Sequence, residues 1–165
     1  MKKSRLGKKF IYLISPNKIK DELFFYSNLR KILKTKKISF FQLRLKKQSL
    51  KKKISIGKKI LKICKKNKVK FIVNDNPLLA KKLMADGCHL GQKDMDFNSA
   101  KQILGNKIIG ISCYNSEQLI KEGIKNKASY IALGAFFPTK TKKVKYKASI
   151  KILNWAKKTT TIPIV

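Results

Sequence analysis

Short apolar runs and longer stretches of helical spacing punctuated by lysine alternate along the chain. Residues 10–14 form the first apolar run. Residues 20–36 follow, with Leu23, Phe24, Leu29, Ile32 and Leu33 recurring at helical spacing. Residues 38–44 are β-rich. Residues 47–66 predict a second helix, with Ile54, Ile60, Leu61 and Cys64 on one side and lysine on the other. Four more strands are predicted at 69–74, 87–91, 107–112 and 129–134. The helices after them are predicted at 78–84, 98–104, 116–125 and 148–158, with Asn98 or Ser99 capping the first of the last three and Ser116 the second. Ile162-Pro163-Ile164-Val165 reads as the opening of a seventh strand. Strict strand–helix alternation with short buried strands predicts parallel pairing through right-handed crossovers. Six full units and the opening of a seventh favour an α/β chain of the (β/α)8 barrel type over a doubly wound sheet. Such barrels run from about 200 residues upward, and this chain has 165. The expectation is one domain over residues 1–165 with its last βα units missing. Strand one would then expose backbone groups and apolar side chains at its edge, and the chain would be poorly soluble or oligomeric.

Composition changes this picture little. No apolar run approaches the roughly 18–20 residues of a membrane helix. The lysines at the N-terminus precede an apolar stretch of five residues, short of the roughly 7–15 in a signal peptide. A cytoplasmic chain with no membrane partner is expected. Cys64, Cys88 and Cys113 are single and widely spaced, which argues against disulfides and structural zinc and fits a reducing compartment. The formal charge of +33 raises the alternative of a basic nucleic-acid-binding protein. However, 38 of the 41 basic residues are lysine, without the planar fork of arginine that base and phosphate recognition favours. They are spread over every predicted helix, so nucleic acid is not the expected partner.

The chemistry is concentrated between residues 74 and 96. Four of the eight acidic residues, Asp75, Asp86, Asp94 and Asp96, fall there in a lysine-rich chain. Asp75 and Asp94 follow predicted strands, where two carboxylates can converge on a hard cation. Equally, Asp75 can cap the helix that starts near Pro77, and Asp94 can belong to a turn. Gln42, Arg44 and Lys46 alternate, so they share one side near the end of the second strand: a cation pair and an amide suited to a polyphosphate and a polar ring, or a solvent-facing edge. Ser112 ends the fifth strand. Thr139, Thr141 and Lys142 follow the sixth, offering hydroxyls and a cation to phosphate oxygens or forming only a basic turn. The single histidine, His89, excludes any mechanism that needs a histidine pair.

These stretches together resemble the thiamine-phosphate synthase family. The residues that carry the likeness are Gln42-Leu43-Arg44-Leu45-Lys46, Asn74-Asp75, Ala85-Asp86-Gly87-x-His89-Leu90-Gly91-Gln92-x-Asp94, Gly110-Ile111-Ser112 and Gly134-Ala135-Phe136-Phe137-Pro138-Thr139-x-Thr141-Lys142, in the family's order. The resemblance implies a Mg²⁺-dependent transferase that joins an aminopyrimidine methyl diphosphate to a thiazole phosphate, with small-molecule substrates as its partners. It implies that Asp75 and Asp94 hold the metal. Arg44, Lys46, Asn74, Ser112 and Lys142 would bind the diphosphate, with Arg44, Lys46, Ser112 and Lys142 serving catalysis. Gln42 would orient the pyrimidine, and Thr139 and Thr141 would face the thiazole phosphate. His89 is expected to pack or hydrogen-bond inside the barrel, and Asp86 to be structural. Asn76 stands where many relatives carry Arg, and Tyr114 where they often carry His. A tautomerase-like or inactive shortened paralogue is the alternative, although such a relative has no need of the Gln-x-Arg-x-Lys set or the paired aspartates.

Overall fold

The structure, a computed structural model, describes residues 10–138 and 147–165. Six βα units follow one another: β1 (Ile11–Ile14), α1 (Glu22–Lys34), β2 (Ile38–Leu43), α2 (Leu50–Lys66), β3 (Lys70–Asn74), α3 (Pro77–Lys82), β4 (Gly87–Leu90), α4 (Phe97–Leu104), β5 (Ile108–Tyr114), α5 (Glu117–Lys125), β6 (Tyr130–Leu133) and α6 (Ile150–Thr159). All neighbouring strands pair in parallel, and the order across the sheet is the order along the chain. In a flat sheet β1 and β6 would lie five strand spacings, about 24 Å, apart. Instead the Tyr12 and Tyr130 hydroxyls, one on each, are 2.7 Å apart. The sheet therefore curls until the side chains of its first and last strands meet, which is the barrel course and excludes the doubly wound alternative. Residues 163–165 continue it, pairing with β6 through a parallel bridge of Ile164 to Ile131.

Alternation along each strand divides the side chains. Phe41, Phe71, Val73, Ile109 and Ile131 are buried beneath the helices, with Phe41 stacked on Phe71 at 6.4 Å. Tyr12, Phe40, Gln42, His89 and Tyr130 fill the concave side, where Tyr12 stacks on Phe40 at 5.5 Å and His89 on Tyr130 at 5.6 Å. Cys64 on α2, Cys88 on β4 and Cys113 on β5 are free and fully buried, and burial pushes each thiol up to about 12. Ile11 and Ile14 on β1, and Phe10 just before it, are exposed. Among the described residues no helix is long and apolar enough to cross a membrane.

Every helix begins on a side chain that accepts a backbone N–H of its first turn: Asp21, Ser49, Asn76, Asp96, Ser116 and Ser149. Two sequence expectations change here. Asp96 caps α4, in place of Asn98 or Ser99, because its carboxyl takes the Ser99 N–H at 3.0 Å. Asn76, not Asp75, caps α3, leaving the Asp75 carboxyl for other partners. A third concerns α1, which buries Tyr26, Leu29 and Leu33, while Leu23, Phe24 and Ile32 are exposed. On the face turned to α2, the Glu22 carboxylate accepts the Tyr26 hydroxyl at 2.8 Å and pairs with Lys52 and Lys59.

Candidate active site at the C-terminal ends of the strands

The four acidic residues adjacent in sequence separate in space. Asp86 sits at the start of β4, where it accepts the Phe71 N–H at 2.9 Å and Lys70 Nζ at 3.2 Å, a structural role, as expected. Asp96 is spent on its helix. Asp75 and Asp94 follow the C-terminal ends of β3 and β4 and approach each other. Asp75 adopts a left-handed backbone (φ 65°) that leaves the strand direction, its N–H held by the His89 carbonyl at 2.8 Å. Asp94 closes the turn after β4 by accepting the Gly91 N–H at 2.6 Å. A Cβ at Gly91 would lie 2.9 Å from that same carboxylate oxygen, so a side chain there would push the Asp94 carboxylate aside. Burial first, and then the facing Asp75 carboxyl, pushes the Asp94 carboxyl above the usual aspartate range. Asp94 thus belongs to a turn, one of its two sequence readings, and in that turn it faces a second carboxylate. Lys46 Nζ stands 3.0 Å from Asp75 Oδ2.

Gln42, Arg44 and Lys46 share the mouth, but not one strand as predicted. β2 ends at Leu43, because the Arg44 N–H turns to Ser15 Oγ at 2.8 Å and Lys46 enters the turn before α2. The Arg44 guanidinium donates to Asn17 Oδ1 in the loop after β1. Gln42 is buried, and its Nε2 donates to the Tyr12 hydroxyl at 3.2 Å. Asn74 ends β3, half-buried, in register with His89. Ser112 on β5 lies 2.9 Å from His89 Nε2, whose Nδ1 lies 3.0 Å from the Tyr130 hydroxyl. His89 is thus a hydrogen-bonded interior residue, as expected. Thr139, Thr141 and Lys142 lie outside the described residues. Among the described residues there is no group of three or more His, Cys, Asp or Glu able to hold a metal. A cavity of about 160 Å³, lined by Tyr12, Phe40, Ile108, Tyr130 and others, opens towards the other end of the strands, away from these charges.

Sequence reasoning missed Tyr12 and Tyr130. The available signal was Gly110, where a Cβ would fall 1.9 Å from Tyr130 Cζ, so a glycine in the neighbouring strand makes room for the ring.

A family model described as thiamine monophosphate synthase matches residues 11–165. The chain belongs to that family. Membership makes it a transferase enzyme of thiamine biosynthesis. It is 61% identical over 165 residues to a thiamine-phosphate synthase of Pelagibacter ubique, covering 100% of this chain and 79% of that protein. A thiamine-phosphate synthase of Nitrosomonas eutropha is 41% identical over 129 residues, 78% of this chain and 61% of its own length. Among solved structures, a thiamine phosphate pyrophosphorylase from Pyrococcus furiosus superposes with a TM-score of 0.81 at 29% identity, over 95% of this chain and 73% of that one.

Proposed function

We propose that this member of the family joins 4-amino-2-methyl-5-pyrimidinylmethyl diphosphate to thiazole phosphate, giving thiamine phosphate and free diphosphate. In this reaction the methylene C–O bond breaks with its electron pair leaving on the diphosphate. The thiazole nitrogen then gives its lone pair to the cationic methylene to form the C–N bond. Charge develops on the leaving group and on the methylene, so the site must neutralise one and keep water from the other.

The observation that carries this reading is the meeting of Asp75 and Asp94, with Lys46 against them, at the mouth that also holds Arg44, Gln42 and Ser112. Two mutually facing carboxylates, one of them pushed up by burial and then by the other, are a donor set that gains from a divalent cation. Paired oxygen ligands fit Mg²⁺, which keeps several waters and is shared with substrate phosphates. Bound there, Mg²⁺ would neutralise diphosphate oxygens. Arg44 and Lys46 add fixed positive charge, and Arg44 contributes a two-pronged hydrogen-bonding fork. Ser112 donates its hydroxyl hydrogen to the leaving group. Asn74 offers an amide beside Asp75, while Thr139, Thr141 and Lys142, which follow β6 in the sequence, would supply hydroxyls and a cation to the phosphates. Gln42 recognises the pyrimidine edge. The aromatic floor of Tyr12, Phe40 and Tyr130 excludes water from beneath the cationic carbon.

The test is to supply the purified chain with both substrates and Mg²⁺ and to measure thiamine phosphate together with released diphosphate. Equal release of the two, abolished in Asp75→Asn, is the expected result. Rearrangement of the thiazole phosphate alone would assign the chain to the tautomerase branch instead.

A further inference from the structure

We propose that Tyr12, Tyr130 and His89 are positioning residues forming a one-way chain of hydrogen bonds. This chain fixes the orientation of the Gln42 carboxamide at one end and of the Ser112 hydroxyl at the other. The proposal rests on the functional reading above for what those two ends touch.

Five side chains from β1, β2, β4, β5 and β6 are linked in sequence. Gln42 Nε2 is 3.2 Å from the Tyr12 hydroxyl, which is 2.7 Å from the Tyr130 hydroxyl. Tyr130 is 3.0 Å from His89 Nδ1, and His89 Nε2 is 2.9 Å from Ser112 Oγ. Burial pushes the Tyr12 phenol up to about 12 and the Tyr130 phenol higher still, so each keeps a hydrogen to donate at neutral pH.

Counting donors fixes the direction. The Gln42 amide nitrogen only donates, so Tyr12 accepts from it and passes its own hydrogen to Tyr130. Tyr130 then donates to His89 Nδ1, which must be bare. The ring proton therefore sits on Nε2 and is given to Ser112 Oγ, and the Ser112 hydrogen is left for the mouth. In the opposite tautomer Nδ1–H donates to Tyr130 and Tyr130 donates to Tyr12, which already accepts from Gln42. The Tyr12 hydrogen then has no acceptor among the contacts of the described residues, a costly arrangement for a buried hydroxyl. Ser112 would also spend its hydrogen on Nε2 and present only lone pairs to an anion.

The satisfied arrangement suits both ends of the proposed substrate. Ser112 offers a donor to diphosphate oxygen. Gln42, with its nitrogen committed to Tyr12, turns its carbonyl oxygen outward as an acceptor for the exocyclic amine of an aminopyrimidine. Neither Tyr12 nor Tyr130 needs to touch the diphosphate to govern how it is met.

A single histidine makes the chain's polarity directly readable. Labelling with ¹⁵N-histidine gives one ring to assign. The expected spectrum shows a pyridine-type Nδ1 and a pyrrole-type Nε2. Tyr130→Phe keeps the ring but removes the donor to Nδ1, so it should mix or reverse the tautomers. It should also weaken binding of inorganic diphosphate with Mg²⁺ by roughly two- to tenfold by calorimetry. Tyr12→Phe should raise KM for the pyrimidine diphosphate by a similar factor while leaving inorganic diphosphate affinity unchanged. An Nδ1–H tautomer in the native protein overturns the proposal whether or not either variant folds. So does a Tyr130→Phe protein with the native tautomer and native diphosphate affinity. If the tautomer is as expected but Ser112→Ala binds diphosphate as tightly as the native protein, the chain of bonds stands and the assignment of Ser112 falls.

Discussion

Replacing Asp94 by Asn should uncouple folding from metal binding, in opposite directions. In the folded protein the Asp94 carboxyl is raised above its ordinary value of 3.8, by burial and by the facing Asp75. A carboxyl that holds its proton more tightly when folded makes the folded state bind more protons than the unfolded one. Stability then falls as pH rises through the interval above 3.8. At neutral pH the ionised pair is a fixed cost. Two unit charges at contact repel by about 1 kcal/mol in water and about 4 kcal/mol at an intermediate dielectric. Partial exposure and the nearby Lys46 ammonium reduce this to about 0.5–1 kcal/mol. Asparagine removes the charge and keeps an oxygen for the Gly91 N–H. Asp94→Asn should therefore melt about 1–4 °C higher than the native protein at pH 7 without metal. That advantage should vanish as pH is lowered to the ordinary aspartate range. The same variant should lose Mg²⁺-dependent diphosphate binding by roughly tenfold or more. Melting curves with and without Mg²⁺, over a pH series, carry both readouts. A variant less stable than the native protein at pH 7 would refute the facing-carboxylate argument, and one with undiminished Mg²⁺-dependent binding would refute the metal site.

Gly110→Ala places a methyl 1.9 Å from Tyr130 Cζ, so urea unfolding should show a loss of about 1–3 kcal/mol or more, as overpacking does. Arg44→Lys keeps the charge but loses the fork, and should weaken pyrimidine diphosphate binding by about 1–3 kcal/mol in a titration; no change would make Arg44 a bystander. Glu22 is lowered to about 2, first by its bond to Lys52 and then by the Tyr26 hydroxyl. Its contribution is therefore present above 4.5 and lost as pH falls towards 2. Glu22→Gln should cost about 0.5–1 kcal/mol at pH 7, kept small by the half-exposed lysines, and most of that cost should be gone at pH 2. Lys68, just past the end of α2, holds a left-handed backbone (φ 57°), so Lys68→Gly should raise stability by about 0.5–1 kcal/mol in denaturant melts.

Element order and the parallel barrel course were legible because each strand is a compact apolar run and each helix carries its apolar residues at helical spacing. The ends of helices were less so. Lys36, Lys68, Met84 and Lys127 take the left-handed positions just beyond helices α1, α2, α3 and α5, where glycine would ordinarily mark the stop. Two predicted helices accordingly ran on through such residues, to 36 and 84. At the site, Asp75 and Asp94 could be named from the residues yet not distinguished from a cap and a turn. That choice depended on whether the Asn76 side chain took the α3 cap, a matter of one backbone angle. The roles of Tyr12 and Tyr130 lay beyond reach, since their partnership joins residues 118 apart across a closing sheet and leaves no local pattern.

The three sealed cysteines give the molecule its own stopwatch. With each thiol near 12, only about one in 10⁵ is ionised at pH 7, and none can meet a reagent without an opening of the structure. Alkylation at Cys64 counts excursions of the second helix away from the sheet. At Cys88 and Cys113 it counts separations within the strand that leads to Asp94 and the strand that carries Ser112. Peptide mapping of the three rates would time the loosening of each layer separately. A ligand that tightens the mouth should slow the clocks in β4 and β5 more than the one in α2.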